Sequence, residues 1–150
     1  MKIVKDVLKR KNQKEVWSVS PKATVFEALA LMGDKSIGAL MVIDENGKVV
    51  GIVSERDYAR KIVLKGKASR ETAVKEIMTP ADQMYTVKPE TSVDEAMVLI
   101  TGKHIRHVPV FDNGQFVGII SIGDLVKSII EEQETLIEQL SDYIAGKYTG

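Results

Sequence analysis

The chain has 150 residues, 44% hydrophobic and 28% charged, which suits one globular domain or two half-size units sharing a core. Its 21 Lys+Arg balance 21 Asp+Glu, so the electrostatic footprint of a general nucleic-acid binder is missing, and the absence of cysteine excludes disulfides, Cys-ligated zinc and thiol nucleophiles. No apolar run approaches the roughly 20 residues of a membrane span, and the start "MKIVKDVLKRKNQKEV" lacks the apolar stretch of a secretory signal; a cytoplasmic protein without a membrane partner is expected.

After an N-terminal helix, "VWSVS" reads as a short strand. Thr24 sits where an N-cap belongs, ahead of Val25, Ala28, Leu29 and Met32, which fall at i, i+3, i+4 and i+7 of an amphipathic helix. "ALMVID" and "KVVGIV" then read as the buried strands of a hairpin turning at Asn46-Gly47, and a second helix begins at Ser54. "KGKASRETAVKEIMTP" leads from there toward the second half of the chain and carries a short helix, Thr72 to Ile77. The same succession then returns: the strand "MYTVK", an N-cap at Ser92, an apolar stripe of Val93, Ala96, Met97 and Ile100, the hairpin "HVPVFD" and "QFVGII" about Asn113-Gly114, and a helix from Ser121. That last helix runs on past the repeat, with an apolar stripe continuing through Leu136, Ile137, Leu140 and Ile144.

The return is a true internal repeat. Pro21, Val25, Glu27, Ala28, Leu31, Lys35, Ile37, Val42 and Asp44 recur 68 positions later, as Pro89, Val93, Glu95, Ala96, Leu99, Lys103, Ile105, Val110 and Asp112. Beyond the turn the spacing is 67, because "DENGK" is one residue longer than "DNGQ", so Gly51, Ser54 and Asp57 meet Gly118, Ser121 and Asp124. Both copies therefore close on one phrase, "GIVSERD" and "GIISIGD". An Asn-Gly pair is a strong hairpin signal because both central positions of a type I′ turn need positive φ. A sheet of three strands cannot cover both of its faces, so two strand-helix-strand-strand-helix copies, 1–66 and 67–150, are expected to pack with pseudo-twofold symmetry into one α/β (α+β) module.

The repeated phrase has two readings. As a helix start, Ser caps the helix and the Asp three residues on reaches back to a free backbone N–H. As a binding site, the same helix start suits a phosphate, and the Asp carboxylate, an acceptor only, can hold both hydroxyls of a ribose. The recurrence of the phrase within its whole strand-helix frame favours the second.

With its G-h-h-[ST]-x-x-D phrases and βαββα frame, the chain resembles a stand-alone pair of CBS domains, the tandem module first recognised in cystathionine β-synthase; the resemblance covers about residues 4–130. It implies adenosine-nucleotide binding in two clefts between the copies. One cleft would combine Ile52, Ser54, Arg56 and Asp57 with Thr79, Tyr85, Ile105, Arg106 and His107. The other would combine Ile119, Ser121 and Asp124 with Trp17, Ile37 and Gly38. Arg56, Arg106 and His107 would make the Asp57 cleft the better phosphate site, since Gly123 stands where the first copy has Arg56. The implied ligands are AMP, ADP or ATP, with NAD and S-adenosylmethionine as further candidates.

Other features read as ordinary. His104 and His107 have no carboxylate pair at metal-ligand spacing, so no metal is expected. "EEQE" at 131–134, and Lys61, Lys65, Lys67 and Arg70, read as solvated faces. No nucleophile elbow, P-loop or Gly-x-Gly-x-x-Gly stretch points to an enzyme. The expected function is that of a nucleotide sensor, a homodimer signalling to a separate protein effector by ligand-dependent rearrangement. The alternative is a structural or dimerisation scaffold with vestigial clefts.

Overall fold

A computed structural model describes residues 2–11 and 17–146. In chain order the elements are α1 (Val4–Lys11), β1 (Ser18–Val19), α2 (Val25–Lys35), β2 (Ala39–Ile43), β3 (Val49–Ser54), α3 (Glu55–Tyr58), β4 (Thr79–Pro80), α4 (Val93–Lys103), β5 (His107–Asp112), β6 (Gln115–Ser121) and α5 (Ile122–Ile144). The mixed helix-and-strand class is that expected from sequence, and the βαββα order is complete in the first copy. Contacts group the chain into two compact units, Glu15–Tyr85 and Met1–Lys14 with Thr86–Gly150. These units do not follow the sequence division at residue 66, because each takes its lead-in segment from the other side of that boundary.

In the unit Glu15–Tyr85 the sheet order is β1-β2-β3-β4, with β1 parallel to β2 and the other pairs antiparallel. Thr24 caps α2 by accepting the Glu27 N–H, and α2 buries Val25, Ala28 and Met32. They meet Leu40 and Val42 of β2, Val53 of β3, and Ile62, Val74 and Ile77 in one hydrophobic cluster. The expected helix Thr72–Ile77 is a single 3₁₀ turn, Val74–Glu76, laid along the approach to α2. Val25 N–H donates to Thr72 O (2.8 Å), Val74 N–H to Ala23 O (2.8 Å) and Lys75 N–H to Pro21 O (3.1 Å), so backbone pairing sets its conformation.

The other unit repeats this with residues from the start of the chain. Val93 N–H donates to Lys2 O (3.1 Å), Val4 N–H to Thr91 O (2.8 Å) and Lys5 N–H to Pro89 O (2.9 Å). Asp6 accepts the Ile3 N–H at 3.0 Å, as Glu76 accepts that of Ala73 at 3.0 Å. "IVKDVLK" (3–9) and "AVKEIMT" (73–79) are thus one phrase, 70 residues apart. Val4 and Val7 complete a cluster with Val93, Ala96, Ile100, Val108, Val110, Ile120 and Leu125, nearly position for position the counterpart of the first.

Two local expectations change. "MYTVK" is reduced to one parallel bridge, Val87 to Val110, leaving β5 and β6 as a two-stranded sheet. At the second hairpin Asn113 (φ 51°) and Gly114 (φ 81°) both take the positive φ of a type I′ turn. In the first hairpin only Gly47 (φ 79°) does. There the extra residue lets the Asp44 carboxylate accept from Asn46 N–H and Lys48 N–H, both at 2.9 Å, and a wider loop results.

Gly51 and Gly118 sit in the last strand of each copy, under the end of a lead-in segment. A Cβ on Gly51 would lie 2.6 Å from the carbonyl oxygen of Thr79 and 2.8 Å from Met78 Sδ. A Cβ on Gly118 would meet only the tip of Leu8, at 2.8 Å from Cδ2. Backbone cannot give way as a leucine tip can. In urea unfolding, Gly51→Ala is expected to cost about 1–3 kcal/mol, whereas Gly118→Ala is expected to cost less than about 1 kcal/mol because lost chain entropy in the unfolded state offsets the contact.

Candidate functional site

In each copy the final strand passes directly into a helix, and the junction residue is Ser54 or Ser121 in extended conformation. The backbone N–H of Ser54 donates to Asp57 Oδ2 (2.9 Å) and that of Ser121 to Asp124 Oδ2 (2.8 Å). In return the N–H groups of Asp57 and Asp124 donate to the serine hydroxyls at 3.3 and 3.1 Å. Both phrases are therefore complete capping boxes. Their carboxylates stay within reach of solvent, with side chains 17% and 19% exposed.

Each carboxylate also meets a lysine that donates to a backbone carbonyl. Lys61 Nζ lies 3.4 Å from Asp57 Oδ1 and donates to Ile77 O at 2.8 Å. Its segment, Ala59–Val63, is a π-helical turn, so α3 widens where it carries that lysine. Lys11 Nζ, from α1, lies 2.9 Å from Asp124 Oδ2 and donates to Ile119 O at 2.8 Å. Sequence reasoning took Lys61 for a solvated residue, although its i,i+4 spacing from Asp57 was a readable signal. For Lys11 the sequence held none, because only the docking of α1 on the second copy brings it there. Glu131, in the supposed solvated run, pairs with Arg10 and lies 3.8 Å from Lys2, clasping α5 to α1.

Within the unit Glu15–Tyr85 the structure brings together Ile52, Ser54, Arg56, Asp57 and Thr79, with Ile52 opposite Thr79 across β3–β4. Gly38 belongs beside them, since its carbonyl accepts the Glu55 N–H at 3.1 Å. Ile37 and Trp17 pack on the same unit's core, and the Lys35 ammonium lies 4.3 Å from the centre of the Trp17 ring. Tyr85 is exposed in the same unit.

Ile105, Arg106 and His107 belong to the other unit, next to Ile119, Ser121 and Asp124. His107 is the cross-strand partner of Ser121, and the Arg106 carbonyl accepts the Ile122 N–H at 2.9 Å. The cleft expected around Asp57 thus draws Ile105, Arg106 and His107 from one unit and Asp57 from the other.

Burial pushes the His107 imidazole below its ordinary value of 6.5; Lys11 adds to this, Asp124 opposes it, and Arg106 lowers it further. For Asp124, burial works against ionisation, but the bonds from Lys11 and Ser121 outweigh it and hold the carboxyl below its usual 3.8. The arrangement is a fixed anion beside a fixed cation and a neutral ring. Such a site can accept hydroxyl hydrogens and balance an anionic group. Among the described residues, no three metal-ligating side chains stand together, and no helix is long and apolar enough to cross a membrane.

Two capped strand–helix junctions in a duplicated strand-and-helix frame define a tandem two-copy module. The chain belongs to the CBS domain family, which it matches at residues 4–64 and 74–131. It is 38% identical over 151 residues to the mitochondrial CBS domain-containing protein CBSX3 of Arabidopsis thaliana, across 97% of this chain and 73% of that one. A solved structure of a CBS-domain protein from Burkholderia ambifaria is 45% identical, with a TM-score of 0.82, over 88% of this chain and 96% of that one. Two more distant structures, each 27% identical, were solved with ligands. CBSX2 holds AMP (TM-score 0.70; 89% of this chain, 99% of that one). The CBS pair of MJ0100 holds 5′-methylthioadenosine and S-adenosylmethionine (TM-score 0.75; 88% and 98%).

Because the folded state depresses the pKa of His107, the unfolded chain binds more protons near and below pH 6.5, so stability rises with pH there. The contribution is fully present above pH 6.5 and is lost as pH falls through the depressed folded value. Melting temperatures measured from pH 7.5 down to 5 should fall below about pH 6.5. His107→Gln should flatten that limb; an unchanged limb in the variant contradicts the assignment.

Proposed function

We propose that this chain is a regulatory module that binds adenosine ligands at two sites, one on Ser54 and Asp57 and one on Ser121 and Asp124. The observation that carries the reading is the duplicated Ser–Asp box. Each presents a carboxylate held by its own helix start yet still open to solvent. An ionised carboxylate in that state can take a ribose diol, and the adjoining helix start favours an anionic group. AMP, ADP and ATP fit this chemistry, as do NAD and S-adenosylmethionine. Around the two acids, Arg56, Thr79, Tyr85, Ile105, Arg106 and His107, and Trp17, Ile37, Gly38 and Ile119, are the candidate contacts to base and phosphate. The ligand acts on a protein effector by favouring the conformation it binds better.

Dimerisation has one observation of its own. Along α5, Ile130, Ile137 and Ile144 fall on one heptad position and Val126, Gln133 and Leu140 on the other core position, and the five apolar members are 40–84% exposed. Isoleucine at a with leucine at d favours a parallel two-helix contact, and Ile137 beside Leu140 follows that pattern. The occupant of that face is a second copy of α5. Sedimentation should find a dimer that Ile137→Lys converts to monomer; a monomeric parent chain contradicts this.

Thermal unfolding against adenosine, AMP, ATP, NAD and S-adenosylmethionine tests the ligand reading. A ligand at 100 times its dissociation constant adds about 2.7 kcal/mol, which raises the melting temperature of a chain this size by several degrees. Asp57→Ala and Asp124→Ala should each remove part of the shift, and together all of it. If no adenosine compound moves the melt, the reading is wrong and the scaffold alternative takes its place.

A further inference from the structure

We infer that Lys11, on the N-terminal helix, sets the charge class of ligand taken at Asp124, selecting adenosine compounds with an anionic phosphate over neutral or cationic ones. The inference rests on the adenosine-ligand reading and deepens it at one of the two sites.

An unpaired Asp124 would set a negative charge beside a bound phosphate, which Arg106, near enough to act on His107, offsets only in part. Lys11 removes that obstacle with an ammonium 2.9 Å from the carboxylate. Of the three N–H donors on an ammonium, the contacts to Asp124 Oδ2 and Ile119 O use two and leave one for a ligand. The lysine is not a loose surface charge. Its side chain is only 23% exposed, and α1 is anchored by the backbone bonds of Val4 and Lys5 and by the Arg10–Glu131 pair.

Partial burial also weakens screening, so the ammonium acts on a phosphate beyond direct contact. His107, kept from protonating by burial and by Lys11 itself, adds no competing charge at neutral pH. The Asp57 site is built differently, because Lys61 comes from the same helix turn as its acid and stands further off, at 3.4 Å. Charge selection therefore distinguishes the two sites, and at Asp124 it depends on an element that begins more than a hundred residues upstream of the acid it serves.

Calorimetric titration of the full chain carrying Asp57→Ala, so that only the Asp124 site reports, tests this with AMP, 5′-methylthioadenosine and S-adenosylmethionine. AMP is expected to bind most tightly. Adding Lys11→Met should weaken AMP about tenfold, an amount equal to about 1.4 kcal/mol, leave 5′-methylthioadenosine within about twofold, and strengthen S-adenosylmethionine, whose sulfonium then faces an unneutralised carboxylate. Lys11→Arg, which keeps the charge, should retain the preference for AMP. If Lys11→Met weakens all three ligands alike, or none, Lys11 only docks α1 and the inference fails while the binding reading stands. If the Asp57→Ala chain binds none of the three, the reading of this site fails and the inference with it.

Discussion

The reciprocal bonds between Ser and Asp at the start of α3 and α5 are the constraint on which the site depends. One carboxylate oxygen of each acid is committed to the N–H of its own serine, at 2.9 and 2.8 Å, which fixes the side chain in a single orientation. Freed of that bond, the aspartate would rotate into solvent and the helix would lose its cap, so structural and binding roles cannot be separated at this residue. On the proposed reading the duplicated phrase is therefore grammar and site at once. On that reading the cap pre-orients the ligand acceptor, and a pre-oriented acceptor binds without the cost of ordering a free side chain.

The second determinant is the lead-in segment that each copy receives. Segments 3–9 and 73–79 share a phrase, an acidic residue that accepts the N–H three positions earlier, and two apolar residues that finish a core. Their far ends lie over Gly51 and Gly118, where Thr79 backbone and Met78 demand a glycine in one case and only the yielding tip of Leu8 crowds it in the other. The two ends then diverge. One enters β4 beside β3, and the other continues as α1 to Lys11, so the copies share a frame and differ in what stands beside the acid.

Much of this was legible in the sequence because it is local. The helices α2 and α4 follow from apolar positions three and four apart behind a hydroxyl cap, and the hairpins from β-branched runs about Asn-Gly. The repeat was readable because most core positions recur at a constant offset. What was not legible is what docking decides. The lead-in phrase recurs at 70 rather than 68 or 67, and each phrase packs with the copy other than the one it leads into in sequence. Lys11 reaches Asp124 only through that docking, and His107 meets Ser121 only through the β5–β6 register. The strand expected over "MYTVK" faded to one bridge because its pairing with β5 is confined to Val87. Within its own unit Asp124 therefore has Lys11 and His107 beside it, a grouping that residue types read along the chain do not show.

The central claim, that the two Ser–Asp boxes are the floors of ligand sites, meets its most direct test in an amide-resolved NMR titration of the full chain with AMP. The account predicts that the largest shifts fall on the backbone N–H groups of Ser54–Asp57 and Ser121–Asp124, and that they saturate with the ligand. Saturating shifts centred elsewhere, with those eight amides unmoved, would contradict it.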